Sequence, residues 1–216
     1  MSTLGTVYGV ILNVQGAVEA LGDAVNAAPY KAPPKAPVLY IKPRNTFLPG
    51  GGAVGAPAGV EELEVQASLG LVFGRTASRV SEADALSYVS GFLPVIDVTV
   101  PHASVYRPAI HQRCRDGFLP HGAVAAPVAG PVDVRVSVNG KDAGGFSTAA
   151  LVRPLARLIA DVTDFITLSP GDVLLVGLGL GSPRAKVGDT VTAALSGVGE
   201  VSCTIVPEAQ VREQAA

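Results

Sequence analysis

Asp97 is the residue whose setting most demands a chemical explanation. It stands in Val95-Ile96-Asp97-Val98, a run that is otherwise apolar. A carboxylate there carries a desolvation cost unless a cation or several hydrogen-bond donors meet it. The irregular stretch that follows, 101–122, supplies cations in Arg107, Arg113 and Arg115. Such arginines suit a ligand with several carboxylates, because the planar guanidinium holds a carboxylate through two parallel hydrogen bonds. The plainer alternative is a salt bridge at a strand end for Asp97 and an ordinary exposed loop for the arginines.

Other chemistries have weaker support. His102, His111 and His121 share the same stretch, but the sequence has no Gly-x-Ser-x-Gly elbow to supply a nucleophile. Gly177-Leu178-Gly179-Leu180-Gly181-Ser182 follows an apolar run and invites a phosphate-loop reading. That reading needs a helix N-terminus directly after the glycines. Pro183 and Gly188-Asp189 follow instead, so the segment reads as a strand end and loop. Cys114 and Cys203 are too few for a disulfide framework.

Composition narrows the classes further. The 216 residues carry a formal net charge of −2, and 16% are charged. That balance lacks the basic stripe of a nucleic-acid binder. The longest apolar run, near Val173–Leu180, is about a third of a bilayer span. Met1–Gly5 has neither the basic region nor the long apolar core of a signal peptide. The expectation is a soluble, cytoplasmic chain that binds neither nucleic acid nor membrane and folds as one domain, 1–216.

The elements that must position Asp97 follow from periodicity. Val7–Val14 reads as a strand and Val18–Ala27 as a weak helix stopped by Pro29, so residues 1–29 form an N-terminal strand and weak helix. Val38–Lys42 is a short strand, and uncharged, glycine-rich Leu48–Val60 reads as loop. Glu61–Gly74 alternates and then turns wholly apolar, as strands covered on both faces do. Ser81-Glu82-Ala83-Asp84 has the form of a capping box opening a helix to Gly91. Phe92–Val100 is the strand that carries Asp97. Val132–Val138 alternates and meets Asn139-Gly140, a hairpin signal. Pro154 suits the first turn of a helix with Leu155, Leu158, Ile159 and Val162 inward. Further strands are expected at Val173–Val176, Thr190–Leu195 and Val201–Val206, with 207–216 a polar, fraying tail. Strands outnumber helices without a βαβ rhythm, which points to an α+β fold, rich in β, with a large mixed sheet.

Six ordered segments resemble the fumarylacetoacetate hydrolase family: Ile41–Thr46 (IKPRNT), Leu71–Ala77 (LVFGRTA), Ile96–Thr99 (IDVT), Asp116–Pro120 (DGFLP), Val138–Gly140 (VNG) and Thr167–Val173 (TLSPGDV). The resemblance runs from Tyr30 to about Val206. It implies the mixed β-roll of that family's C-terminal-domain type. It also implies Mg²⁺ or Mn²⁺, held by a Glu-x-Glu pair and an Asp, acting on a small polycarboxylate 2-oxo acid by decarboxylation or enol/keto isomerisation. Carried over by position, Asp97 is the metal-binding and catalytic aspartate, and Gln66 and Ser68 occupy the glutamate positions. Glu62 and Glu64 lie four residues upstream, about 13 Å along the strand. Arg113 is a catalytic candidate where many members carry lysine. Arg44, Lys42, Arg115 and Asp116 are implied substrate contacts. The family's Thr-Gly-Thr-Pro reads Val176-Gly177-Leu178-Gly179 here.

Pro29–Lys35, Tyr106–Ile110 and Cys114–Phe118 resemble a branch in which two homologous halves are fused, specifically its N-terminal half. That implies a homodimer, or a heterodimer with a homologous half that carries the metal pair. A non-catalytic structural partner and a metal-dependent acylpyruvate-type hydrolase are the alternatives.

Overall fold

In the computed structural model, residues 4–28, 31–102 and 109–215 are described. The strands among them are β1 (Val7–Ile11), β2 (Val38–Lys42), β3 (Phe47–Pro49), β4 (Ala53–Ala56), β5 (Glu62–Phe73), β6 (Val89–Thr99) and β7 (Leu119–His121). They continue with β8 (Asp133–Val138), β9 (Lys141–Ser147), β10 (Val173–Leu175), β11 (Arg184–Lys186), β12 (Thr190–Leu195) and β13 (Gly199–Pro207). Three helices join them: α1 (Ile110–Arg113), α2 (Leu155–Thr163) and α3 (Glu208–Ala215).

The strands form two mixed sheets. The larger runs β2-β1-β10-β5-β6-β7-β3, with β11 also pairing β5, and the smaller runs β4-β13-β12-β8-β9. Side chains alternate across a strand, so each long strand of the larger sheet has two faces to cover. On one face Leu69, Leu71, Phe73, Ile96 and Val98 pack with Val134, Val136, Val191, Ala193 and Ile205 of the smaller sheet and with Leu158, Ile159 and Val162 of α2. Each such fully buried side chain contributes roughly 1.5–3 kcal/mol of apolar transfer. On the other face Val7, Val72, Leu93, Val95, Leu119, Val173 and Leu175 form a second, smaller cluster, flanked by Leu4, Tyr40 and Phe47. Asp97 projects from that second face, two residues beyond Val95.

The loss of alternation in β5 therefore has the expected cause, burial on both sides. The Asn139-Gly140 hairpin also forms, with both residues at positive φ, +52° and +75°. Elsewhere the structure corrects the sequence reading. The helix expected from Ser81 to Gly91 is a single 3-10 turn, Ala85–Tyr88. Ser81 still accepts from the Asp84 N–H, but Ala85 is the one buried side chain of the turn, and Val89 is already drawn into β6. The weak helix near the N-terminus is a 3-10 segment, Glu19–Asn26, broken where Gly22 takes φ +53°. Within Leu48–Val60, Ala53–Ala56 is a strand, paired in parallel with β13. The tail beyond Pro207 is helical and packs beside β4, where the Glu208 Cα lies close to Gly55.

Candidate functional site

Cross-strand register builds the site. Gln66 on β5 lies opposite Asp97 on β6, and Ser68 lies opposite Val95, so the three polar positions share one face. Tyr40 and Lys42 alternate with exposed Ile41 on β2 and turn to the same side.

Lys42 is the centre of the arrangement and is fully buried. Its Nζ donates to the carbonyls of Val98 (2.7 Å), Arg113 (2.9 Å) and Phe118 (3.0 Å). It also lies 3.1 Å from Asp97 Oδ1. Asp97, 2% exposed, is met from three further sides. Arg113 Nη1 lies 3.5 Å from the same oxygen. Thr99 Oγ1 donates to it at 3.4 Å, and the Tyr40 hydroxyl donates to Oδ2. The Arg113 guanidinium lies over the Tyr40 ring, 4.8 Å from its centroid. Asp97 thus escapes the desolvation penalty because two cations and two hydroxyls surround it.

Protonation follows from these contacts. Burial, and then the Asp97 charge, hold the Tyr40 phenol well above its ordinary pKa of 10.0, so it is a proton donor to Asp97 at neutral pH. Burial pulls the Lys42 ammonium below the usual lysine value, and the Asp97 carboxylate opposes that pull. Burial likewise raises the neighbouring Cys114 thiol.

The other expected contacts fall differently. Arg115 forms an ion pair with Glu208 at the start of α3. Asp116 accepts from Asn45 Nδ2 at 2.7 Å, and the same amide donates to the Cys114 carbonyl, fastening the turn after β2 to the segment after α1. Arg44 is exposed in that turn. Arg107 lies outside the described residues. His111 approaches Arg115 at 3.5 Å, while His102 and His121 contact backbone carbonyls. The glycine segment after β10 is a loop, as its sequence implies, and it is hydrogen-bonded to Gln66 and Ser68. Ser68 Oγ donates to the Gly177 carbonyl at 2.7 Å, and Gln66 Nε2 to the Gly181 carbonyl at 3.0 Å.

Tyr40 is the site residue that sequence reading missed. Its signal was the two-residue spacing from Lys42, which puts both on one face of a strand. The structure adds Gly9, opposite Tyr40 in register. A Cβ at Gly9 would fall 2.0 Å from the Tyr40 ring, so only glycine lets the ring cross β1 toward Asp97.

The donor set does not fit a divalent metal. Mg²⁺ and Mn²⁺ require several hard oxygen ligands, and Asp97 is the one carboxylate among these positions. Its oxygens already serve Lys42, Arg113, Thr99 and Tyr40, while Gln66 and Ser68 are committed to the loop. Glu64, next along β5, is paired with Arg184 at 3.1 Å. Among the described residues no group of three or more His, Cys, Asp or Glu side chains could hold a metal ion.

Residues 6–206 match the family model "Fumarylacetoacetate (FAA) hydrolase C-terminal". The chain belongs to the fumarylacetoacetate hydrolase family. It is 39% identical over 212 residues to a 4-hydroxyphenylacetate degradation bifunctional isomerase/decarboxylase of Escherichia coli, covering 96% of this chain and 48% of that protein. The protein so described from Salmonella dublin is 36% identical over 206 residues, covering 94% and 48%. The chain therefore spans about half the length of these relatives. In fold it is similar to a family structure, fumarylpyruvate hydrolase from Pseudomonas aeruginosa in complex with Mn²⁺ and pyruvate (TM-score 0.82, 20% identity, 95% of this chain and 91% of that one). The mixed sheets expected from the resemblance are the architecture observed. No helix among the described residues is long and apolar enough to cross a membrane.

Proposed function

We propose that this chain is one half of a two-half 5-oxopent-3-ene-1,2,5-tricarboxylate decarboxylase / 2-hydroxyhepta-2,4-diene-1,7-dioate isomerase of 4-hydroxyphenylacetate breakdown, working in the cytoplasm. The observation that carries the proposal is the alignment of nearly the whole chain with about half of relatives described as isomerase/decarboxylase. The second half is a homologous chain bearing the Glu-x-Glu pair. Such a pair would hold Mg²⁺ or Mn²⁺, which would supply Lewis-acid chemistry there.

This chain's own residues have a narrower task. Arg113 and exposed Arg44 attract the carboxylates of the substrate. Lys42 and Tyr40 hold Asp97 and, through it, the Arg113 guanidinium in one orientation. Such pre-organisation lowers the cost of binding.

A second reading is favoured by the commitment of Gln66 and Ser68 to the glycine loop: a structural half, kept for its interface with the catalytic one. An acylpyruvate-type hydrolase needs the absent glutamates and has less support. CO₂ release from the tricarboxylate, measured with Mg²⁺ for this chain alone and then with the homologous chain, separates these readings. Release only with both chains, and falling when Arg113 is replaced, supports the paired enzyme. Release unaffected by any site substitution here leaves a structural half. Release by this chain alone overturns both.

A further inference from the structure

The charges around Asp97 do not balance. Lys42 and Arg113 bring two positive charges to one buried carboxylate, leaving a surplus positive charge in a largely desolvated site. The neighbouring charges do not cancel it. Arg115 is matched by Glu208 and Arg184 by Glu64, Tyr40 and Cys114 are held neutral, and Asp116 is exposed and engaged by Asn45.

The guanidinium of Arg113 is also incompletely used. Its Nη1 is buried without a hydrogen-bond partner among the described residues, because the approach to Asp97 is an ion-pair contact and not a hydrogen bond. The side chain as a whole is 19% exposed. Stacking on Tyr40 fixes its plane, the ion pair occupies one corner, and the side chain keeps partial access to solvent. A planar fork held in this way is ready for a carboxylate, which accepts two parallel hydrogen bonds from it. In a medium of lowered dielectric the surplus charge strengthens that attraction.

We infer that the Tyr40–Lys42–Asp97–Arg113 cluster is a carboxylate-binding site that works without a divalent cation, with Arg113 as the group that touches the ligand. The inference takes its ligand class, a planar 2-oxo-acid or oxalate-like carboxylate, from the proposed function. The positive surplus itself stands on geometry alone. Tyr40 and Lys42 are positioning residues: one lies beneath the guanidinium, and the other anchors the carboxylate that the guanidinium faces.

The test is calorimetric titration of the purified chain with oxalate in buffer stripped of divalent cations by chelating resin, with sulfate as a tetrahedral comparison. The expected result is saturable oxalate binding in the stripped buffer, weakened at least tenfold in Arg113→Met and by rising salt. Sulfate should bind more weakly. Arg113→Lys, which keeps the charge but loses the planar fork, should fall between. Tyr40→Phe keeps the ring beneath the guanidinium and should weaken oxalate less than Arg113→Met does. No binding by the wild-type chain, binding only after Mg²⁺ is added, a preference for sulfate, or undiminished binding by folded Arg113→Met would each overturn the inference. Because wild-type binding is decisive by itself, poor folding of a variant does not blunt the test. The assay reads no turnover. Oxalate binding beside a paired complex that releases no CO₂ would sink the proposed function alone, and active pairs without oxalate binding would sink the inference alone.

Discussion

At the scale of single residues, the site is a buried ion cluster whose members depend on one another. Removing one partner of a buried pair strands the other, which typically costs about 3–5 kcal/mol. Lys42→Met is therefore expected to lower unfolding free energy by about that amount, read by urea denaturation. Tyr40→Phe removes one hydrogen bond to a charged group and should cost less, about 1.5–3 kcal/mol. Equal stability of Lys42→Met and wild type would show that the ammonium is not the anchor described here. Gly9→Ala should disturb the site more than Tyr40→Phe does, since the added methyl displaces the ring itself as well as its hydroxyl.

Cys203 gives a pH-dependent prediction. Burial pushes its thiol from 9.0 up to about 12. Between those values the unfolded chain loses the proton while the native chain keeps it. The stabilising contribution is complete below about pH 9 and declines as pH rises through the window, by roughly 1.4 kcal/mol per unit. The stability advantage of wild type over Cys203→Ala should shrink accordingly between pH 9 and 11, measured by denaturant titration at each pH. A constant difference would contradict the burial argument.

At the scale of elements, two connections decide how the strands meet. The β8–β9 turn needs a left-handed conformation at Asn139, and the same side chain reaches across to β12. Its Oδ1 accepts from Thr190 N at 2.9 Å, and its Nδ2 donates to Asp189 Oδ1 at 2.8 Å. Asn139→Ala loses both bonds and places a less tolerant residue at φ +52°. A loss of about 2 kcal/mol is expected in chemical denaturation, and Asn139→Gly should recover the part due to backbone strain. The second connection is the loop 177–181, which lies over β5 through Ser68 and Gln66. Ser68→Ala leaves the Gly177 carbonyl without that donor, a loss of about 1–3 kcal/mol. Faster amide exchange confined to that loop would confirm its dependence on β5.

At the scale of the whole molecule, the larger sheet divides the protein by chemistry. One face meets the smaller sheet and α2 in the main core, and the other carries the second cluster and the ionic site. The site is thus fastened to rigid strands on one side and to the segment after α1 on the other. Asp97→Ala removes the carboxylate that lies between Lys42 and Arg113, leaving the two cations facing each other. In a functional pair, CO₂ release is expected to fall at least tenfold in this variant, at a temperature where circular dichroism shows it folded. Unchanged turnover would mean that this face takes no part in the reaction.

The sequence by itself determined the architecture and named Lys42, Asp97 and Arg113, which the fold brings together. Alternation that gives way to an apolar run placed β5 and announced its burial on both faces, an apolar run around Asp97 placed β6, and the ordered segments from Ile41 to Val173 identified the family. A lone carboxylate in an apolar strand marked Asp97, because local pattern alone exposes so costly a residue. Register and closure were decided only by tertiary structure. Nothing local says that Lys42 spends its ammonium on three carbonyls from distant segments, that Tyr40 crosses a glycine to reach Asp97, or that Arg115 turns away to Glu208. Those contacts span from 56 to 93 residues of chain, and their partners become neighbours only when the sheets close. The tail beyond Pro207 and the turn at Ala85–Tyr88 were misread for the same reason. The tail packs beside β4, and the turn lies against α2 while Val89 enters β6, so tertiary packing outweighs a weak local preference in each.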